Sequence, residues 1–257
     1  FLFVHGLGVT SRVWTKQFRD LPPAGVRAVA FDHRGHGAST ARLGQVSIEG
    51  LADDIRTVVE GLDLRDALIV GHSTGGMALL AFAVRYPELV AARVRGLVLV
   101  SCAARFALAH VPLVGRALVP FAEGFVDSGI WSRSDWSRAV SRLLFGPDPM
   151  PSQVELVRAL LASASDEAVV GWVQALAAFD LTGRLGDVRV PTLVVNGTAD
   201  LVTTPGDARR LTRGIPGARL ELVRGAGHML VLERAERLGA LVCGFARAHG
   251  IAVGLAA

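Results

Sequence analysis

The 257-residue chain has two cysteines, one tyrosine and a single lysine, Lys16, against 26 arginines. Cys102 and Cys243 cannot make a disulfide-dense secreted scaffold, and no CxxC or Cys/His pattern with zinc spacing occurs. The shortage of lysine, tyrosine and cysteine also explains a sequence pI near 10.0. Twenty-seven basic residues against 23 acidic ones leave a net charge of only +4, and few groups titrate between about pH 8 and 12 to remove it. The arginines are scattered, with no run longer than Arg209-Arg210. A nucleic-acid partner is therefore not expected. Arginine over lysine fits GC-rich coding and a bacterial source.

Long hydrophobic runs are missing too. The longest stretch without Asp, Glu, Lys or Arg covers residues 67–84, and Gly71-His72-Ser73-Thr74-Gly75-Gly76 interrupts its middle. A bilayer helix would not accept so polar and turn-prone a break, so no membrane span is expected. No signal peptide is visible, which makes the cytoplasm the default location. The chain opens on Phe1, inside the apolar run FLFVHG, and the expectation is that residues precede it.

What the chain does have is 51% apolar and 19% charged residues, with 29 glycines. That is ample for a large core and far from a disordered or fibrous composition. Short β-like runs alternate with amphipathic stretches. The patterning predicts strands at 1–4, 26–31, 67–70, 97–101, 191–195 and 219–223. It predicts helices at 11–21, 48–61, 74–86, 207–213 and 233–249, with Pro87 read as a helix stop. Strand-helix alternation implies an α/β fold with a mostly parallel sheet covered on both faces. From about 103 to 189 the rhythm changes to helical patterns, including 153–162 and 168–179, with three of the four tryptophans. The expected organisation is a core of residues 1–102 and 190–257, interrupted by a helical cap at 103–189.

Three places carry chemistry. Gly71-His72-Ser73-Thr74-Gly75 is a GxSxG motif between the strand pattern ALIV and a helical pattern, the strand-turn-helix setting in which such a serine is exposed. A serine hydroxyl needs a base, and the base needs an orienting carboxylate. His228, in Gly225-Ala226-Gly227-His228-Met229, and Asp200, just past TLVV, both follow strands, on the edge where open α/β sheets place ligands. Asp180 and Asp187 compete for the carboxylate role but precede that strand. Glu233 is expected to start the last helix, where a carboxylate favours the dipole. His5-Gly6-Leu7-Gly8 follows the opening strand, and the Leu7 and Thr74 N–H groups are candidate oxyanion donors, each about 3 kcal/mol in a transition state.

HGLG, FDHRGHG, GHSTGG, NGTADLVTT and GAGHM, in this order, resemble the α/β-hydrolases over nearly the whole chain outside the middle segment. The resemblance implies Ser73 as nucleophile, His228 as base and then acid, and Asp200 as orienting carboxylate. It implies that Asp32 to Gly37 supports the site structurally, and that 103–189 lines a substrate pocket. No metal or organic cofactor is implied. The family usually has hairpin strands before the HG turn, and the sequence opens on Phe1 without them: either the sequence is truncated or the protein lacks that edge. Serine at the elbow points away from dehalogenases and epoxide hydrolases, which use Asp there. The expected reaction is cleavage of a small-molecule carboxylic ester with an apolar acyl or aromatic group. Phe106, Leu113, Val114, Leu118, Phe121, Phe125, Trp131, Trp136, Leu143 and Phe145 are candidate pocket or cap-core residues. Carbon–carbon hydrolysis, cofactor-free perhydrolysis (haloperoxidase chemistry) and a hydrolase-like small-molecule receptor remain open.

Overall fold

The computed structural model describes residues 1–21, 25–40, 46–106, 141–162 and 166–254. Six strands form one sheet: β1 (Leu2–Val4), β2 (Val29–Phe31), β3 (Ala67–His72), β4 (Val94–Val100), β5 (Thr192–Gly197) and β6 (Arg219–Val223). Their order is β2-β1-β3-β4-β5-β6, and each neighbouring pair is parallel. Continuous apolar runs suit strands buried on both faces, and every residue of β3 and β5 is buried. The period-two alternation of a strand divides them between two cores. Leu2, Val4, Ile69, Leu97 and Leu99 enter one, and Phe3, Leu68, Val70, Val98 and Val100 the other.

The helices are α1 (Thr15–Asp20), α2 (Ile48–Gly61), α3 (Thr74–Arg85), α4 (Pro87–Arg93), α5 (Pro151–Ala162), α6 (Asp166–Ala178), α7 (Pro205–Gly214), α8 (Leu230–Glu233) and α9 (Ala235–Ala248). Helix α2 has the predicted bounds. The Ser47 hydroxyl accepts the Gly50 N–H at 2.9 Å, and Ile48, Leu51, Ala52, Ile55 and Val59 form its buried face. Among the described residues no single helix is long and apolar enough to cross a membrane.

Several predicted boundaries are corrected. The strand expected at 26–31 is Val29–Phe31, the one at 97–101 is Val94–Val100, and the helix expected at 11–21 is a 3-10 turn, Ser11–Trp14, leading into α1. Pro87 does end α3, but it also opens α4 as its first residue. At that position its missing N–H costs nothing and its fixed φ suits a helix. The last helix is broken in two at Arg234 (φ −134°, ψ 43°), so Glu233 closes α8 instead of opening α9.

Between β4 and β5 the described residues contribute helices α5 and α6 and a 3-10 turn, Thr182–Asp187. The two ends of this insertion meet. Arg105 bridges Asp180 in antiparallel fashion, and the Leu181 N–H donates to the Ala104 carbonyl at 2.9 Å. The expectations for Leu113, Val114, Leu118, Phe121, Phe125, Trp131 and Trp136 lie outside the described residues.

The chain runs from β1 outward to β2, then returns to β3 on the other side of β1 before continuing to β6. Beyond the carboxyl ends of β1 and β3 this reversal opens a crevice, the place where open α/β sheets bind ligands. HGLG leaves β1 into that crevice and Ser73 leaves β3 beside it.

Candidate active site

Ser73 sits between β3 and α3 with φ 53° and ψ −118°, a positive φ that a non-glycine residue adopts only at a cost of about 1–3 kcal/mol. The turn is possible because its neighbours lack side chains. A Cβ on Gly71 would lie 2.7 Å from the Gly75 carbonyl oxygen, and one on Gly75 would lie 2.5 Å from the Val4 and His5 carbonyl oxygens. Ser73 makes no capping bond to α3. Its Oγ faces His228 Nε2 at 3.0 Å instead.

His228 Nδ1 lies 3.0 Å from Asp200 Oδ2 and 3.2 Å from Oδ1. The carboxylate accepts the Val202 and Thr203 N–H groups at Oδ1 and the Thr203 hydroxyl at Oδ2, all at 2.9 Å. Asp200 and His228 are buried. Burial works to raise the Asp200 carboxyl, but the adjacent His228 and the hydrogen bonds outweigh it, and the group is held below the usual carboxylate range. Asp200 thus presents a fixed, ionised acceptor that sets which imidazole nitrogen carries the proton. The competing carboxylates are occupied elsewhere: Asp180 caps Thr182 and Asp187 pairs with Arg184. Glu233 takes the Gly227 and Gly146 N–H groups.

The predicted oxyanion donors lie on the same side of the crevice. Leu7 and Thr74 line a cavity of about 200 Å³ together with Ser73 and His228. Neither N–H donates to an acceptor among the described residues. Three histidines hold the loop that carries Leu7. Before Leu7, His5 Nδ1–H donates to the Gly6 carbonyl and Nε2 accepts the His33 N–H. After it, the Gly8 N–H donates to His36 Nε2. His33 Nε2–H returns a bond to the His5 carbonyl at 2.8 Å. Asp32 braces the second loop through the Ser11 and Ala38 N–H groups. All three imidazoles are buried, and burial lowers each of them, His33 to about 3. They work as neutral hydrogen-bonding frames, the structural support expected of residues 32–37. Trp172 of α6 packs over the cluster, with its ring 5.4 Å from His36 and 6.2 Å from His33.

The rest of the cavity wall is apolar: Val9, Met77, Phe106, Leu144, Leu161, Val173, Leu176, Val202 and Met229, with Thr203 and His72 the further polar residues. Of the aromatic and aliphatic residues expected there, Phe106 is present. Phe145 is buried in the core, and Leu143 is 61% exposed. Its neighbour Leu144 points inward in its place.

Two residues escaped the sequence reading. Thr203 buttresses Asp200 and approaches His228 Nδ1 at 3.3 Å, and its only signal was a hydroxyl three residues after the aspartate. His72, beside the elbow serine, donates Nε2–H to the His228 carbonyl at 2.9 Å. Burial, reinforced by His228, pushes its imidazole down to about 3.

The model of the alpha/beta hydrolase fold matches residues 1–235. A non-heme chloroperoxidase of Kitasatospora aureofaciens is 28% identical over 243 residues, spanning 92% of this chain and 87% of its own. Among solved structures, a thermophilic esterase from Thermogutta terrifontis has a TM-score of 0.85 at 27% identity, covering 96% of this chain and 89% of its own. An enol-lactonase from Burkholderia xenovorans has a TM-score of 0.80 at 28% identity, covering 95% and 89%. With the family model matched over residues 1–235, the chain belongs to the alpha/beta hydrolase family.

Proposed function

We propose that this protein is a serine hydrolase that cleaves a neutral carboxylic ester with an apolar acyl group, through an acyl-enzyme. The observation that carries the reading is the hydrogen-bonded line Ser73–His228–Asp200, which ends at an apolar cavity beside two unengaged N–H groups. His228 Nε2 takes the Ser73 proton as Oγ attacks the ester carbonyl. Leu7 and Thr74 N–H stabilise the oxyanion, and Asp200 stabilises the imidazolium. His228 then protonates the leaving alcohol. A water, deprotonated by the same nitrogen, releases the acid.

Residues 103–189 act in this reading as the cap, whose described part supplies Leu144, Leu161, Val173 and Leu176 to the cavity wall. A wall with no lysine, arginine or added carboxylate among the described residues favours an uncharged acyl group. The similarity to a chloroperoxidase supports a second reading on the same acyl-enzyme. There, hydrogen peroxide replaces water as acceptor and a peracid is released. Hydrolysis of p-nitrophenyl esters from acetate to laurate, with Ser73→Ala alongside, tests the proposal. Turnover that peaks at short acyl chains and vanishes in the variant is expected. Absence of turnover on every ester by folded protein would overturn it. Added peroxide, with peracid as readout, separates the two acceptors.

A further inference from the structure

Glu233 lies outside the Ser73–His228–Asp200 line, yet its carboxylate joins two segments that meet at His228. Oε1 accepts the Gly227 N–H and Oε2 the Gly146 N–H, each at 2.9 Å. Gly227 precedes His228, and Gly146 belongs to the described return of the insertion between β4 and β5. The two segments touch backbone to backbone: a Cβ on Gly146 would fall 2.3 Å from the Gly225 carbonyl oxygen, and one on Gly227 would fall 2.3 Å from the Gly146 nitrogen. The Met229 N–H donates to the Leu144 carbonyl at 2.9 Å, and Leu144 lines the cavity. His228 is therefore tied to residues 144–146 on both sides, directly through the Met229–Leu144 bond and through the Glu233 carboxylate that bridges Gly227 and Gly146.

We propose that Glu233 is a positioning residue: its ionised carboxylate clasps the Gly227 and Gly146 N–H groups and so sets His228 between Ser73 and Asp200. The effect on catalysis rests on the serine-hydrolase reading above, whereas the clasp itself does not. Burial outweighs the two backbone bonds and Arg234, and Asp200 adds to it, so the Glu233 carboxyl is raised above the usual carboxylate range. Burial thus works against the charge while the two backbone bonds favour it. On the facing segment, which also carries Asp148, Arg142 directs its guanidinium to the Gly146 and Pro147 carbonyls.

The test compares wild type with Glu233→Gln, in which an amide supplies one acceptor and no charge. Two readouts report on His228. One is the downfield proton NMR signal of Nδ1–H in its bond to Asp200, and the other is the rate at which a fluorophosphonate labels Ser73. The expected result is a weakened or shifted Nδ1–H signal and labelling slowed roughly 10- to 100-fold, with a thermal midpoint within a few degrees of wild type. An unchanged signal and unchanged labelling in the variant would overturn the proposal. Should the variant not fold, wild type decides through the pH titration of the Gly146 and Gly227 amide signals. The clasp requires them to shift together with one midpoint above the ordinary glutamate value, and independent or absent transitions refute it. Wild type that fails to label would sink the serine-hydrolase reading, and with it the catalytic role, while the amide titration still decides the clasp.

Discussion

His72 Nε2–H donates to the main-chain carbonyl of His228 at 2.9 Å, so the residue before the elbow serine holds the loop that carries its proposed base. Both partners are buried. The bond ties the carboxyl end of β3 directly to the turn after β6, across two intervening strands. The accepting carbonyl fixes the proton on Nε2 and leaves Nδ1 as a buried acceptor without a partner among the described residues.

Replacing His72 by leucine leaves the His228 carbonyl unpaired and frees its loop. A buried acceptor left unsatisfied costs about 1–3 kcal/mol. The expected outcome is a lower thermal midpoint together with a fall in kcat of about tenfold. Steady-state kinetics and thermal unfolding of His72→Leu check it, and wild-type kcat in the variant would show that the bond does not position His228.

Acid should unfold this protein earlier than its carboxylates alone would. His5, His33 and His72 are buried and lowered by burial, the last two to about 3. Unfolded, each takes up a proton as pH falls below about 6.5, whereas the native state does not follow until the folded value. Stability is therefore lost between about pH 6.5 and 3, by at most about 1.4 kcal/mol per pH unit for each group. Urea unfolding from pH 7 to 4 should show a steadily falling midpoint, and the slope should lessen in His72→Leu. A flat midpoint down to pH 5 would contradict the burial of these imidazoles.

Strain at the elbow predicts that Ser73→Gly is inactive but more stable. Glycine adopts φ 53° freely, which recovers part of the 1–3 kcal/mol held there, offset by about 0.5–1 kcal/mol of added chain entropy. A net gain of about 1 kcal/mol is expected, read as a thermal midpoint a few degrees above that of Ser73→Ala. A midpoint at or below that of Ser73→Ala, which lacks the contact with His228 as well, would mean that the chain entropy of glycine outweighs the strain released.

Asp200→Asn keeps the shape and removes the charge. The amide no longer dictates that Nδ1 carries the imidazole proton, so Nε2 ceases to be a dependable base. The expected loss in kcat on a p-nitrophenyl ester is on the order of ten-thousand-fold with KM little changed. Loss below tenfold would point to Thr203 or another group as the orienting partner.

The strands, the elbow and the order of Ser73, Asp200 and His228 were legible in the sequence because each rests on local rules. Apolar runs of strand length, small residues around a tight turn and polar residues after strands all report on neighbours within a few positions. Helix α2 came out with its true bounds because its cap and its apolar spacing lie in the same short segment. The double role of Pro87 went unread because a proline that stops one helix equally suits the first position of the next.

Only the tertiary structure decided the partnerships across chain distance. His72 meets His228 over 156 residues and Glu233 meets Gly146 over 87, and no periodicity encodes such pairs. Glu233 read as a helix-opening carboxylate because its sequence neighbours allow that, and the fold placed two unpaired glycine N–H groups in front of it. The choice of Asp200 over Asp180 and Asp187 was argued from strand order and became a distance only when β5 and β6 lay side by side. Local chemistry thus determined which residues could act. The parallel order β2-β1-β3-β4-β5-β6, which brings the loops after β1, β3, β5 and β6 to one edge, decided which of them meet.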